Sequence, residues 1–403
     1  MTPVSPAASR ERANRPDPLA TKATVLAIDG GNSKTDVALV AADGSVLASL
    51  RGPGASQEEY GVDGAMRILD GLVRTVAEKA GLGAGLDGGL VARHTSACLA
   101  GADLPEEEAA LTAALRDQGW SESAIAMNDT FAVLRAGLRP DHGEPGWGAA
   151  VTCGAGINCV AVGPDGQVAR YLSLGKLSGD WGGGSFLASE AVWYAIRAED
   201  GRGPATALRP ALAEHFGFER VADITIARHK GELGYADLLP LTRVLFTVAE
   251  AGDEVARQIL DRQAEEICVM VAAAMRRLAL PSEGIPVVLG GGVLEARNDV
   301  LLGMINGHLN TAAPGASPRV VEVPPVVGAA LLGLDHTGAG PDAEHRLRQE
   351  YRLSCDCDHK GGIGHNGYRA PARPGRAGLR LRRPGRPHVA AAPGGAAHED
   401  HAR

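Results

Sequence analysis

The sequence predicts an α/β protein of two lobes, in which one topological unit occurs twice and leaves a cleft between the copies. Three observations predict it. The 403 residues, 45% of them apolar, are enough to fill two ordinary domain cores. A strand-rich stretch at 24–51, broken by tight Gly-containing turns, has a counterpart after the loop at 139–146. Helical patterning follows each strand-rich stretch, as a layered α/β unit requires.

The elements run in order. TVLAIDGG, TDVALVAADG and SVLASLRG read as three strands of an antiparallel meander. A helical pattern from Tyr60 to Ala80 follows, then an apolar stretch from Leu90 to Leu99 and a helix from Pro105 to Gln118. A strand at Ala124 to Met127 leads into a helix that starts at Asp129. GWGAAVTCGAGINCVAVGPDGQVARYLSL restarts the meander. Helices then dominate from Ser185 to Leu280, with breaks near Gly201 to Pro204, Gly217 and Gly252. The last of them sets Val255, Ile259, Ile267, Val271 and Met275 on one face, the stripe of a core helix. The strand Ile285 to Leu289 ends in Gly290, Gly291 and Gly292, and PPVVGAALLGLDH closes the fold as a helix of small residues. The expected divisions are an N-terminal extension at 1–22, lobes at 23–136 and 137–337, and a tail at 338–403. That tail becomes Arg-, Pro- and Gly-rich without either period after about Tyr351, so it is expected to be disordered or to be a reading-frame artefact.

Bulk properties exclude several classes. A formal net charge of −8 lacks the dense basic surface of a nucleic-acid binder. Six cysteines without paired spacing read as reduced thiols, which points to the cytoplasm. Residues 1–22 lack the apolar core of a signal peptide, and the longest apolar run, Ile267 to Met275, is too short to span a bilayer. No membrane partner is expected.

Glycine-bearing turns carry the chemical signal. AIDGGNSKTDVAL sets Asp29 at a strand end, with Gly30 and Gly31 placed to take positive φ so that successive N–H groups converge on an anion. Asn32, Ser33, Lys34 and Thr35 complete this turn with polar groups. A hairpin turn capped by Asp and Gly is the plainer reading. VTCGAGINC repeats the device with Gly154, Ala155 and Gly156, so that two facing hairpins would hold a polyphosphate. VVLGGGVL adds Gly290 to Gly292, against which adenosine could lie.

Together DGGNSKTD, MNDTFAVL, CGAGINC, GDWGGGS and VVLGGGV resemble the N-acetylglucosamine kinase and BadF/BadG/BcrA/BcrD ATPase family, over about residues 23 to 337. The resemblance implies two ribonuclease H-like lobes of the actin/hexokinase superfamily, with ATP and Mg²⁺ between them. It implies an ATP-dependent kinase acting on a hydroxyl of a sugar or amino sugar, and a homodimer is compatible with it. Asp129 matches the family's general base, although an Asp before a helix is also a favoured cap. Asp180 matches a ligand of sugar hydroxyls, with helix capping as the alternative. Ser56, Ile157 and Asn158 fall at substrate positions. Asp29 is the expected Mg²⁺ partner, through water. Ser56 stands where relatives acting on amino sugars often carry Asn, and Ala155 replaces a common Thr, so N-acetylglucosamine itself is not specified.

Two rival readings share the fold. An activator ATPase of a 2-hydroxyacyl-CoA dehydratase or aryl-CoA reductase would carry an iron–sulfur cluster on cysteines. Cys153 and Cys159 are the close pair in the folded part, and hairpin alternation also makes them core thiols. A non-catalytic sugar-sensing regulator would need an appended helix-turn-helix, for which the 22 residues before the first strand are too few. The tail sequence CDCDHKGGIGH is a weak zinc pattern.

Overall fold

The computed structural model describes residues 23–82, 90–281 and 284–360. The N-terminal extension and the stretch 361–403, which includes the last five residues of the cysteine- and histidine-bearing tail motif, lie outside the described residues.

Two five-stranded mixed sheets are built on one plan. The first has the order β3-β2-β1-β4-β5, from β1 (Ala23–Gly30), β2 (Lys34–Val40), β3 (Val46–Pro53), β4 (Ala92–Leu99) and β5 (Ser121–Asn128). The second has the order β10-β9-β6-β7-β8, from β6 (Gly148–Cys153), β7 (Ile157–Val162), β8 (Val168–Arg170), β9 (Ile285–Gly290) and β10 (Ala316–Val320). Read from the other end, the second order repeats the first. In each, the first hairpin pair is antiparallel and the third and fourth pairings are parallel. These are the two ribonuclease H-like lobes.

Strand alternation assigns each side chain to a layer. Leu26, Ile28, Val37 and Leu39 face α1 (Gln57–Lys79) and α2 (Pro105–Asp117), while Val25, Ala27, Ala38 and Val40 face the space between the sheets. In the second sheet Ala149, Val151, Val287 and Leu289 face a helical layer, and Ala150 and Val288 face inward. That outer layer comprises α4 (Gly184–Glu199), α5 (Leu208–Phe216), α6 (Val221–His229), α7 (Leu241–Glu250), α8 (Glu254–Arg277), α9 (Gly292–Glu295) and α10 (Asp299–Ala312). The α8 stripe is buried at all five predicted positions.

The central layer is made by two equivalent helices, α3 (Asp129–Gly137) after β5 and α11 (Pro325–Thr337) after β10. They pack on each other and cross over. Helix α3 packs on β6, and α11 packs on β1 and β4 of the first sheet. Small residues permit the approach. A Cβ on Gly290 would come 2.6 Å from Val133 of α3, and a Cβ on Gly333 would meet Val25 and Ser96.

The tail does not begin unstructured at 338. A further helix, α12 (Pro341–Lys360), docks Ala343, Leu347 and Tyr351 into the central core. Its Arg348 guanidinium donates to the carbonyls of Ala136 (2.7 Å) and Leu138 (2.7 Å), satisfying the C-terminal end of α3. Arg135 of α3 pairs with both Asp335 of α11 and Glu344 of α12. Among the described residues, no helix is long and apolar enough to cross a membrane.

Candidate active site

Because β1, β4 and β5 run parallel, their carboxyl ends lie on one edge of the first sheet, and each brings an aspartate there: Asp29 at the end of β1, Asp103 in the loop after β4 and Asp129 directly after β5. Burial and mutual repulsion act on all three. Asp29 is held well above the ordinary carboxyl range, first by burial and then by the charges of Asp129 and Asp36, with Lys34 opposing and Glu295 adding. Burial pushes Asp129 up to about 6; the Thr130 hydroxyl and N–H pull it down, and Glu58 adds repulsion. Asp103 is pushed up to about 7 by burial, then by Asp129 and Glu58. Asp29 and Asp129 therefore lie close enough at this edge for the charge of one to act on the other.

The first hairpin turn closes through the Gly31 N–H to the Lys34 carbonyl, 2.9 Å. Gly30 and Gly31 do not take positive φ, contrary to expectation. Glycine is needed there for space instead: a Cβ on Gly30 would come 2.6 Å from Leu99, and one on Gly31 3.2 Å from the Lys34 carbonyl. Asn32, Ser33 and Lys34 are exposed at the tip. Thr35 is fully buried with its hydroxyl unpartnered, so strand alternation turns that side chain away from the cleft.

The second turn, Gly154 to Gly156, is clamped from both flanks by backbone. The Gly184 N–H donates to the Gly154 carbonyl (2.8 Å) and the Ser185 N–H to the Ala155 carbonyl (3.0 Å). Positive φ matters in these flanks. Gly183, at φ +88°, leaves only 2.5 Å between a would-be Cβ and Gly156; Gly291, at φ +85°, leaves 2.6 Å to the Cys153 backbone. The triplet Gly290 to Gly292 thus lies directly against the second turn. Nothing would obstruct a Cβ on Gly154 or Gly156, so the outer face of that turn is open. Glu295, whose carboxylate accepts from the Gly291 N–H, is also near enough to Asp29 to raise its pKa. The three glycine elements and Asp29 accordingly meet across the lobes.

The remaining predicted positions divide. Ser56 is buried and caps α1, accepting from the Glu58 N–H at 3.2 Å; its loop lies on the first turn, where the Ala55 N–H donates to Gly31. The Ile157 side chain belongs to the second lobe's core, so only its backbone is free for a ligand. Asn158 reaches across the lobes, donating to Asp103 (3.1 Å) and Asn128 (3.2 Å). Asp180 is buried, accepts from the Ser178 hydroxyl, and stands two residues before the glycines that clamp the second turn. Cys153 and Cys159 are fully buried free thiols, pushed up to about 12 by burial.

A profile of the BadF/BadG/BcrA/BcrD ATPase family matches residues 26–333. The chain belongs to this family. Two relatives of the chain are an N-acetylmuramic acid/N-acetylglucosamine kinase of Clostridium acetobutylicum, 26% identical over 68% of this chain and 86% of that one, and an N-acetyl-D-glucosamine kinase of Dictyostelium discoideum, 25% identical over 78% and 99%. A crystal structure from Chromobacterium violaceum, solved under the provisional name N-acetylglucosamine kinase, superposes with a TM-score of 0.61 at 21% identity, covering 78% of this chain and 99% of that one. That likeness carries the two-lobed fold.

Sequence reasoning missed Asp103, Asn128 and Glu58 in this BadF-type site. LAGAD carries the same signal as AIDGG and MNDT, an aspartate just beyond a buried strand. Read by that rule, Asp103 was accessible.

Proposed function

We propose that this chain is an ATP-dependent kinase that phosphorylates a hydroxyl of a sugar or amino sugar of the N-acetylglucosamine type. The observation that supports the reading is the closeness of Asp29 and Asp129 at the carboxyl edge of the first sheet, with the Gly290 to Gly292 segment packed on the second glycine turn. The names of the two relatives support the acceptor class.

In this reading the backbone of Gly30 to Lys34 and of Gly154 to Gly156 grips the triphosphate, and Gly290 to Gly292 backs the adenosine. Asp29 is the carboxylate that would hold Mg²⁺, through water, together with the phosphates, and the ion would neutralise their charge; among the described residues no cluster of three ligating side chains forms a protein cage for it. The backbone at Ile157, with Asn158, Asp180 and the Ser56 loop, lines the sugar side. Asp129 accepts the proton of the acceptor hydroxyl as its oxygen bonds to the γ-phosphorus and the bond to the ADP oxygen breaks. A carboxyl near 6 is ionised at neutral pH yet basic enough for that role.

The test is ADP release by the purified full chain against amino sugars, hexoses and their N-acetyl forms, with iron assayed in the same sample. Stimulation by an N-acetylated amino sugar is expected. Acceptor-independent hydrolysis with bound iron would reverse the reading in favour of an activator ATPase.

A further inference from the structure

One carboxylate orients two asparagines from opposite lobes. Asp103 lies in the loop between β4 and α2 and is 8% exposed. Its Oδ1 accepts from the Nδ2 of Asn128 at 2.8 Å and from the Nδ2 of Asn158 at 3.1 Å. Each contact fixes which way an amide faces. With Nδ2 on Asp103, the Oδ1 of Asn128 is turned to the Thr130 N–H (3.0 Å), which caps the helix whose first residue is Asp129. The Oδ1 of Asn158 is likewise turned to the Cys159 N–H (2.7 Å). Asn158 also donates to the Oδ1 of Asn128 (3.2 Å), so an apolar side chain at 103 would leave Asn128 Nδ2 without this acceptor and Asn158 Nδ2 with one acceptor instead of two, loosening the link between the lobes.

The loop itself is gripped from the second lobe. Arg170 of β8 donates to the carbonyls of Ala102 (3.0 Å) and Asp103 (2.8 Å) and pairs with Glu108 of α2 (2.9 Å). Two strands of one lobe therefore hold a single loop of the other, and that loop orients the cap residue next to Asp129. These contacts of Asn158 and Arg170 all run between the two lobes.

We propose that Asp103 is a positioning residue of the phosphoryl-transfer site, which, with Arg170, ties lobe closure to the placement of Asp129 and of Asn158. The proposal rests on the kinase reading above. It predicts an effect on turnover rather than on nucleotide binding, since the hydrogen bonds of the Asp103 carboxylate run to Asn128 and Asn158 and not to the glycine turns.

The experiment begins with wild-type turnover on the best acceptor, and absence of any sugar phosphorylation there would count against the kinase reading itself. Given turnover, Asp103→Ala is expected to lower kcat by about 10- to 100-fold, a typical cost of misplacing a reacting group, with KM for ATP changed less than about twofold. Asp103→Asn keeps an oxygen that accepts from both asparagines and is expected to restore kcat to within about threefold of wild type. Equal losses in Asp103→Ala and Asp103→Asn would make the charge itself the active feature and overturn the positioning role, as would an Asp103→Ala enzyme with unchanged kcat. Should Asp103→Ala fail to fold, Arg170→Met decides: a kcat loss of about tenfold at constant KM for ATP supports the tie, and unchanged kcat overturns it.

Discussion

Gly328 of α11 lies directly on the Ala132 carbonyl of α3, so close that a methyl group at 328 would overlap that oxygen. The two helices are topological equivalents, one from each lobe, and this backbone contact is the pivot of the central layer. The contact also sits below Asp129, because α3 begins with that residue. Packing at the pivot and placement of the site are one construction.

Gly328→Ala is therefore expected to destabilise by about 1–3 kcal/mol, the usual cost of an extra group in a filled core, because the obstructing atoms are backbone and not a movable side chain. Chemical denaturation checks it. A neutral result would mean that the helices slide apart freely, and the pivot would not be a fixed one.

Arg348 joins helix α12 to the end of helix α3. Its guanidinium donates to Ala136, Leu138 and Arg135 carbonyls and to Glu344, all within the central layer. Arg348→Ala is expected to cost about 3 kcal/mol, since it strands buried acceptors at the end of α3. Arg346→Ala, which loses an exposed pair with Asp43, should cost less than about 1 kcal/mol. Urea titrations of the two variants give the comparison, and equal losses would contradict it.

His94 sets an acid limit. Its ring is buried, stacked on His336 at 4.0 Å and bonded to Ser123, and burial followed by the His336 charge depresses its pKa to about 4. The unfolded chain, with a histidine near 6.5, binds the proton first, so His94 makes stability fall as pH drops from about 6.5 to 4. Asp103 and Asp129 act in the opposite sense: raised to about 7 and 6, they bind protons in the folded state first, and stability rises as pH falls through those values toward 4. The opposing slopes separate by substitution. The melting temperature of His94→Asn should gain on that of wild type as pH falls from about 6.5 to 4, and that of Asp129→Asn should exceed wild type at pH 8, where a repelled carboxylate is removed.

The same carboxyl predicts the pH dependence of turnover. If Asp129 must be ionised, kcat/KM climbs from pH 5 with a midpoint near 6 and levels off above about 7. A profile flat across that range would show that no group with this pKa is required.

Much of this architecture was legible because hairpins and strand ends announce themselves in short stretches. The meanders, the Asp29 and Asp129 positions and the α8 stripe needed only local period and turn chemistry. Helix α12 did not, since its anchors Glu344 and Arg348 are polar and are buried only because Arg135 and the Ala136 carbonyl wait for them more than 200 residues earlier in the chain. Strand β10, ASPRV, carries a proline and an arginine, which hide its strand character in the sequence and which its edge position tolerates. The positive φ expected at Gly30 and Gly31 belongs instead to Gly183 and Gly291, where backbone meets backbone. Asp103 was overlooked because its meaning depends on Asn158, on the other lobe.

The most direct measurement of the central claim is single-turnover phosphoryl transfer from ATP to the sugar by Asp129→Asn beside wild type. The variant should fold and bind ATP normally, yet transfer at least ~10²-fold more slowly, as loss of a positioned base requires. Transfer at the wild-type rate would take Asp129 out of the chemistry and leave the sheet edge it shares with Asp29 without a catalytic function.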